Sequence, residues 1–211
     1  MSDLQCPATI LVARHAQATY RHPEREDAGD GDRLTPLGEQ EAARLGGSLR
    51  RRRIAAVYTS VLSRAVQTGQ LLGTALGVDS AVLAGVEEFG VGEYADRPDV
   101  SDLIGTVFDR WLAGEPDARC PGGESAVEVV ARFGRALTEL ADLYRGETVV
   151  VVSHGGAMSL ALPRLCRNVP DELARAHWLP HCSVAEVVVA ADGWELRDWP
   201  GSEDPPAGPD D

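Results

Sequence analysis

The chain has 211 residues, 44% of them hydrophobic, and a formal net charge of −13. That length suits one domain with a full core. The acidic balance argues against nucleic acid or an anionic membrane as the main partner, since both reward a basic surface. All 20 basic residues are arginine, a compositional bias that by itself carries no function.

The N-terminal "MSDLQCPATILVAR" carries an early acid, and its apolar run is too short and badly flanked for a signal peptide. No apolar run approaches the roughly 20 residues that span a membrane. Cys6, Cys120, Cys166 and Cys182 form no C-x-x-C pair or zinc spacing, and they read as scattered thiols of a cytoplasmic protein. "ATILVAR" (8–14) is continuous, β-branched and short, as a buried strand should be. Residues 21–33 are polar and glycine-bearing, hence a loop. "LTPLGEQEAARLGGSLRRRR" starts a helix with Thr35 as N-cap and Pro36 in the first turn, and its arginines gather at the C-terminal end. The Arg50–Arg53 run reads as a solvated helix end.

"IAAVYTS" (54–60) is a second strand, followed by a helix through about Leu76, and "SAVLAGV" (80–86) is a third strand. Residues 87–98 form an acidic, glycine-rich loop. Helices are expected at about 99–113 and 125–145, the second with Ser125 as N-cap. "ETVVVVSH" (147–154) is the most apolar strand and runs straight into a helix at "GGAMSLALPRLC". "SVAEVVVA" and "GWELRDW" pair as a hairpin around Asp192-Gly193. The tail 201–211 is acidic, proline-rich and expected to be disordered.

This alternation predicts an α/β fold: a three-layer α/β/α sandwich around a mostly parallel sheet. Residues 1–200 form its one domain, with a helical insert at about 99–145 acting as a lid. Ligands of such sheets sit beyond the carboxyl ends of the strands. Arg14 and His15 leave one strand end there, and Ser153, His154 and Gly155 leave another. Arg64 lies just past the second strand. Guanidinium forks suit phosphate oxygens. A helix opening at Gly155-Gly156 adds backbone donors. A metal site from His15, His154, His177 and His181 shows no H-x-H spacing, so no metal and no cofactor are expected.

Arg14-His15-Ala16-Gln17 resembles the Arg-His-Gly signature of the histidine phosphatase superfamily, which includes the cofactor-dependent phosphoglycerate mutases. "LTPLGEQEAARLGGSL", "IAAVYTSVLSRAVQTGQLL", "EEFGVGEYAD", "PGGES" and "VVVSHGG" are similar to further blocks of that family, in its order, over about residues 8 to 200. The resemblance implies a phosphoglycerate mutase-like fold. It makes His15 the nucleophile that forms a phosphohistidine, with Arg14, Arg64 and His154 on the phosphoryl oxygens. Glu88 would protonate the leaving alcohol, with Glu87 as the alternative.

Two departures bear on the substrate. Ala16 stands where the family has glycine. Ala18 and Arg21 stand where many members have Ser or Thr and Asn, so either Gln17 or Arg21 replaces the Asn against the phosphate or this wall of the site is looser. "LPHCSV" resembles a segment that often has Asn at the position of His181, which adds His181 to the candidate substrate ligands beside Gly155.

The function this implies is metal-independent hydrolysis of a small phosphorylated metabolite. A phosphoglycerate-type mutase is the alternative, and a non-catalytic phosphate-binding protein is the alternative of another class. The expected partner is the small substrate, with no nucleic acid and no membrane, and homodimerisation left open.

Overall fold

The computed structural model describes residues 6–19, 33–95, 97, 99–169, 173 and 179–201. Arg21, His22, His177, the 20–32 stretch and the tail 202–211 lie outside the described residues.

Among the described residues six strands form one sheet: β1 (Ala8–Arg14), β2 (Ile54–Thr59), β3 (Ser80–Val82), β4 (Thr148–Ser153), β5 (Val184–Ala190) and β6 (Gly193–Asp198). Their spatial order is β3-β2-β4-β1-β5-β6. The β3-β2-β4-β1 half is parallel, while β5 runs antiparallel to β1 and β6 antiparallel to β5. The third strand is shorter than the 80–86 reading. Pairing with β2 stops at Thr59–Val82, after which the chain turns at the positive-φ Gly85.

Among the described residues five helices flank the sheet: α1 (Pro36–Leu49), α2 (Ser63–Leu76), α3 (Val100–Leu112), α4 (Ala126–Leu143) and α5 (Gly155–Leu165). Alternate residues of the central strands feed two cores. Ile10, Val12, Val149 and Val151 join α4 and α5 residues such as Phe133, Leu137 and Met158 on one face. Leu11, Ala13, Val150 and Val152 join Leu45 and Leu49 of α1 and Leu72 of α2 on the other. A strand buried on both sides must be apolar throughout, which is why β1 and β4 read as unbroken runs.

The helix caps follow the sequence. The Thr35 hydroxyl accepts from the Gly38 amide, and Ser125 forms a reciprocal capping box with Glu128. The helices expected at about 99–145 are present and pack on the core. α4 is a layer of the sandwich that buries Val129, Phe133, Ala136, Leu137 and Leu140. Even α3 sends Trp111 into that core, where its indole N–H donates to the Ala118 carbonyl at 2.6 Å. Periodicity identified both helices, and the apolar faces of both reach the sheet's core.

α1 abuts the turn that follows β1. A Cβ placed on Gly38 would lie 2.0 Å from the Gln17 carbonyl oxygen, so only glycine lets the helix approach this closely. Gly38→Ala is expected to destabilise the fold by about 1–3 kcal/mol, the usual range for overpacking. Urea unfolding monitored by circular dichroism checks this, and an unchanged midpoint would contradict it.

Candidate active site

β1 and β4 are parallel neighbours with Arg14 opposite Ser153, so the two strands end side by side. The His15 amide extends the ladder by donating to the Ser153 carbonyl at 2.9 Å. The Ser60 amide does the same to the Val152 carbonyl from the end of β2. Three strand exits therefore deliver His15, His154 and, one turn into α2, Arg64 to one place. All three are buried, with His154 at 0% exposure and His15 at 2%.

The partners of His15 define its tautomer. Its Nδ1 lies 2.8 Å from the Ala16 carbonyl oxygen, which can only accept, so Nδ1 carries the proton. Arg64 Nε donates to His15 Nε2 at 3.1 Å, so Nε2 presents its lone pair. Burial, and then the Arg64 cation, hold protonation of His15 well below the usual histidine range. A neutral imidazole with one free lone pair is what a nucleophile requires.

His154 lies beside it, with ring centroids 5.1 Å apart. Its Nε2 pairs with the Ser60 hydroxyl at 2.6 Å. Burial, followed by the Arg64 charge, pushes its protonation well below the ordinary value too. His181 packs on the other flank at 5.7 Å, and burial together with Arg14 lowers its pKa to about 4. It reaches the site on a constrained turn. Cys182 has φ 55, a left-handed conformation that costs a non-glycine residue about 1–2 kcal/mol. The Cys182 amide is pinned there by the carbonyls of Arg14 (3.2 Å) and His15 (3.4 Å).

Among the described residues, four buried side-chain polar atoms have no hydrogen-bond partner: Arg14 Nε, His154 Nδ1, His181 Nε2 and Ser183 Oγ. All belong to residues at this one end of the sheet. Each such atom costs about 1–3 kcal/mol. Their concentration around His15 marks a place built for a polar ligand.

The remaining candidates divide. Arg14 Nη1 donates to the Leu179 carbonyl at 2.7 Å, which leaves Nε facing the cluster beside Gly155. Glu88 comes to the first turn of α5. Its carboxylate accepts from the Gly156 amide (3.0 Å), the Ala157 amide (2.7 Å) and its neighbour Phe89 (3.1 Å). This corrects the expectation that Gly155 and Gly156 together offer donors to a ligand. The Gly156 donor is taken by Glu88, and Gly155 is the donor of that pair not taken by it.

Glu87 faces the other way, toward the Gly85 amide and Arg132. Gln17 is bound to α1. Its side-chain carbonyl accepts from the Thr35 hydroxyl at 2.7 Å, and its backbone N–H donates to the Glu41 carboxylate. The structure therefore does not bring the Gln17 carbonyl into the histidine cluster. Ala16 is fully buried, and its amide donates to the Thr68 hydroxyl, which in turn donates to the Arg64 carbonyl. The alanine is thus a strut between the two halves of the site. Sequence reading missed Ser60, Thr68 and Arg132. Ser60 and Thr68 flank Arg64 in "TSVLSRAVQT", and that adjacency was the available signal. No group of His, Cys, Asp and Glu among the described residues has the arrangement of a metal site.

The profile of the histidine phosphatase superfamily (branch 1) matches residues 10–200. The chain belongs to that superfamily. A protein of Salmonella choleraesuis named probable phosphoglycerate mutase GpmB is 26% identical over 194 residues, covering 90% of this chain and 89% of the relative. Among solved structures of the histidine phosphatase fold, a mycobacterial glucosyl-3-phosphoglycerate phosphatase superposes with a TM-score of 0.72 at 23% identity, over 93% of this chain and 99% of that one. The alpha-ribazole phosphatase of Shigella flexneri gives 0.69 at 19% identity, over 92% and 96%.

The buried histidines set a pH dependence of stability. The unfolded chain protonates its histidines near pH 6.5, whereas the fold holds His15 and His154 neutral to lower pH. Their contribution is present above about pH 6.5 and is lost as pH falls, by about 1.4 kcal/mol per pH unit for each histidine. Urea unfolding should give lower stability at pH 5.5 than at pH 7.5, and His15→Asn should reduce that slope. Equal slopes in the two proteins would contradict the buried, neutral assignment.

Proposed function

We propose that the protein is a metal-independent phosphomonoesterase that acts on a small phosphorylated metabolite through a phosphohistidine on His15. The observation that carries this reading is the His15 ring. Its Nδ1–H is fixed on the Ala16 carbonyl, its Nε2 lone pair faces a guanidinium, and polar atoms without partners surround it.

In this scheme a phosphoryl group enters among Arg14, Arg64, His154 and His181, with the Gly155 amide at the helix N-terminus. Arg64 Nε exchanges the lone pair of His15 for a phosphoryl oxygen, which frees Nε2 to attack phosphorus. The P–N bond forms as the P–O bond to the alcohol breaks, and Glu88 gives its proton to the departing oxygen. Water then attacks the phosphohistidine, and Glu88 takes back a proton. The P–N bond breaks, His15 regains its lone pair and inorganic phosphate leaves. Two easier steps replace one hydrolysis whose uncatalysed rate is extremely low. The arginines neutralise the oxygens that would repel the incoming lone pair.

His181 completes the ligand set as a neutral Nε2–H donor, because a phosphate dianion only accepts hydrogen bonds. Arg21 stays a proposed ligand on sequence grounds alone. Four cysteines outside any disulfide suit a reducing, cytoplasmic setting.

The relative named as a mutase favours a second reading, in which the phosphoryl group returns to an acceptor alcohol instead of water. The test is a panel of phosphate esters that includes phosphoglycerates, glucosyl-3-phosphoglycerate and alpha-ribazole phosphate. Release of inorganic phosphate that is insensitive to EDTA and falls at least about 10³-fold in His15→Ala supports hydrolysis by this route. Equal rates in the two proteins overturn the nucleophile. Isomerised phosphoglycerate without free phosphate supports the mutase.

A further inference from the structure

Glu88 lies in a segment without regular secondary structure, between the end of β3 and the 3₁₀ turn at Gly92–Tyr94. Its backbone carbonyls have no ladder to satisfy them, so something else must. Arg132, on α4, does this. Its side chain is 16% exposed and makes five hydrogen bonds at or below 3.2 Å.

Arg132 Nη1 donates to the carbonyls of Gly85 and Glu87, both at 2.9 Å, and Nη2 donates to the carbonyl of Glu88 itself at 3.2 Å. Nε and Nη2 grip the two carboxylate oxygens of Glu124 at 2.7 and 3.0 Å. Glu124 then holds the far end of the same segment. It accepts from the Gly90 amide at 2.7 Å, and its own amide donates to the Gly90 carbonyl at 2.9 Å. Burial opposes charge on Glu124, but the Arg132 and Gly90 hydrogen bonds outweigh it and keep its carboxyl below the usual range. The Ser153 hydroxyl fixes the middle by donating to the Val86 carbonyl at 2.7 Å.

We propose that Arg132, with Glu124, is a positioning residue for the acid of the reaction: it fixes the Gly85–Gly90 backbone so that the Glu88 carboxylate stands on the first turn of α5. The proposal rests on the reading of Glu88 as that acid. The pattern needs the guanidinium's planar fork, since one face must serve three carbonyls while the other meets a carboxylate edge-on. A lysine is a single point charge with no fixed fork and cannot reproduce it. The same segment turns Glu87 away toward Arg132, so the clamp also selects which of two adjacent glutamates reaches α5. A proton donor works only within hydrogen-bond reach, and a displacement of about 1 Å costs on the order of 10²-fold.

The test compares Arg132→Lys, Glu124→Gln, Glu88→Gln and the Arg132→Lys/Glu88→Gln double variant in the full chain. Substrates are an alkyl phosphate and p-nitrophenyl phosphate, with inorganic phosphate as competitive inhibitor. Arg132→Lys and Glu124→Gln are expected to lower kcat/KM on the alkyl ester, which reports transfer to His15 and not the later hydrolysis that both esters share, about 10- to 100-fold. On the aryl ester, whose leaving group needs no proton, they should change it less than about 3-fold. The inhibition constant for phosphate should not move, and Arg132→Lys should add nothing once Glu88 is Gln. Equal losses on both esters, or independent losses in the double variant, would make Arg132 a general support of the fold and overturn the proposal. If Glu88→Gln itself lowers kcat/KM on both esters equally, the acid assignment fails. If Glu88→Gln discriminates between the esters and the Arg132 and Glu124 variants do not, the positioning proposal fails alone.

Discussion

The His15 ring, held between the Ala16 carbonyl and Arg64 Nε, is the contact on which the rest of the site depends. Neither partner is incidental. The carbonyl is in place because β1 ends against β4 and the next amide is already committed to Thr68. Arg64 is in place because α2 starts directly after β2 and its Thr68 hydroxyl ties the Arg64 carbonyl to the Ala16 amide. One hydroxyl therefore couples the strand that carries the nucleophile to the helix that carries the guanidinium.

The doubly buried strands explain how such charged groups come to be buried together. β1 and β4 contribute to both cores and cannot slip by one residue without exchanging their two faces. Their register is fixed, and so are the points where the chain leaves the sheet. The polar residues are packed where the apolar ones end, and the core's rigidity is passed on to the site.

What the sequence revealed follows the same division. Arg14, His15, Arg64 and His154 were legible because each stands next to an apolar strand, and strand ends are readable from composition. Glu88 was preferred to Glu87 only through the family resemblance, because adjacent residues on an irregular loop differ only in which tertiary partner each meets. Arg132 was invisible for a related reason. An arginine on an amphipathic helix looks like a solvated face until the loop beneath it is seen. Proximity in sequence to the histidine says nothing of the turn after it, which sends the Gln17 side-chain carbonyl to the α1 cap. The 99–145 helices were found by period, yet period alone does not say whether an apolar face meets a core or a cleft.

The four polar atoms without partners carry a last implication. Arg14 Nε, His154 Nδ1, His181 Nε2 and Ser183 Oγ are liabilities to the empty fold, and the strained Cys182 turn adds to them. Selection for folding alone would exchange them for carbon. Their presence is a standing tension between durability and readiness, and a bound ligand relieves it. The protein is thus least settled where it is most prepared, and part of its affinity for a ligand was set aside when the chain folded.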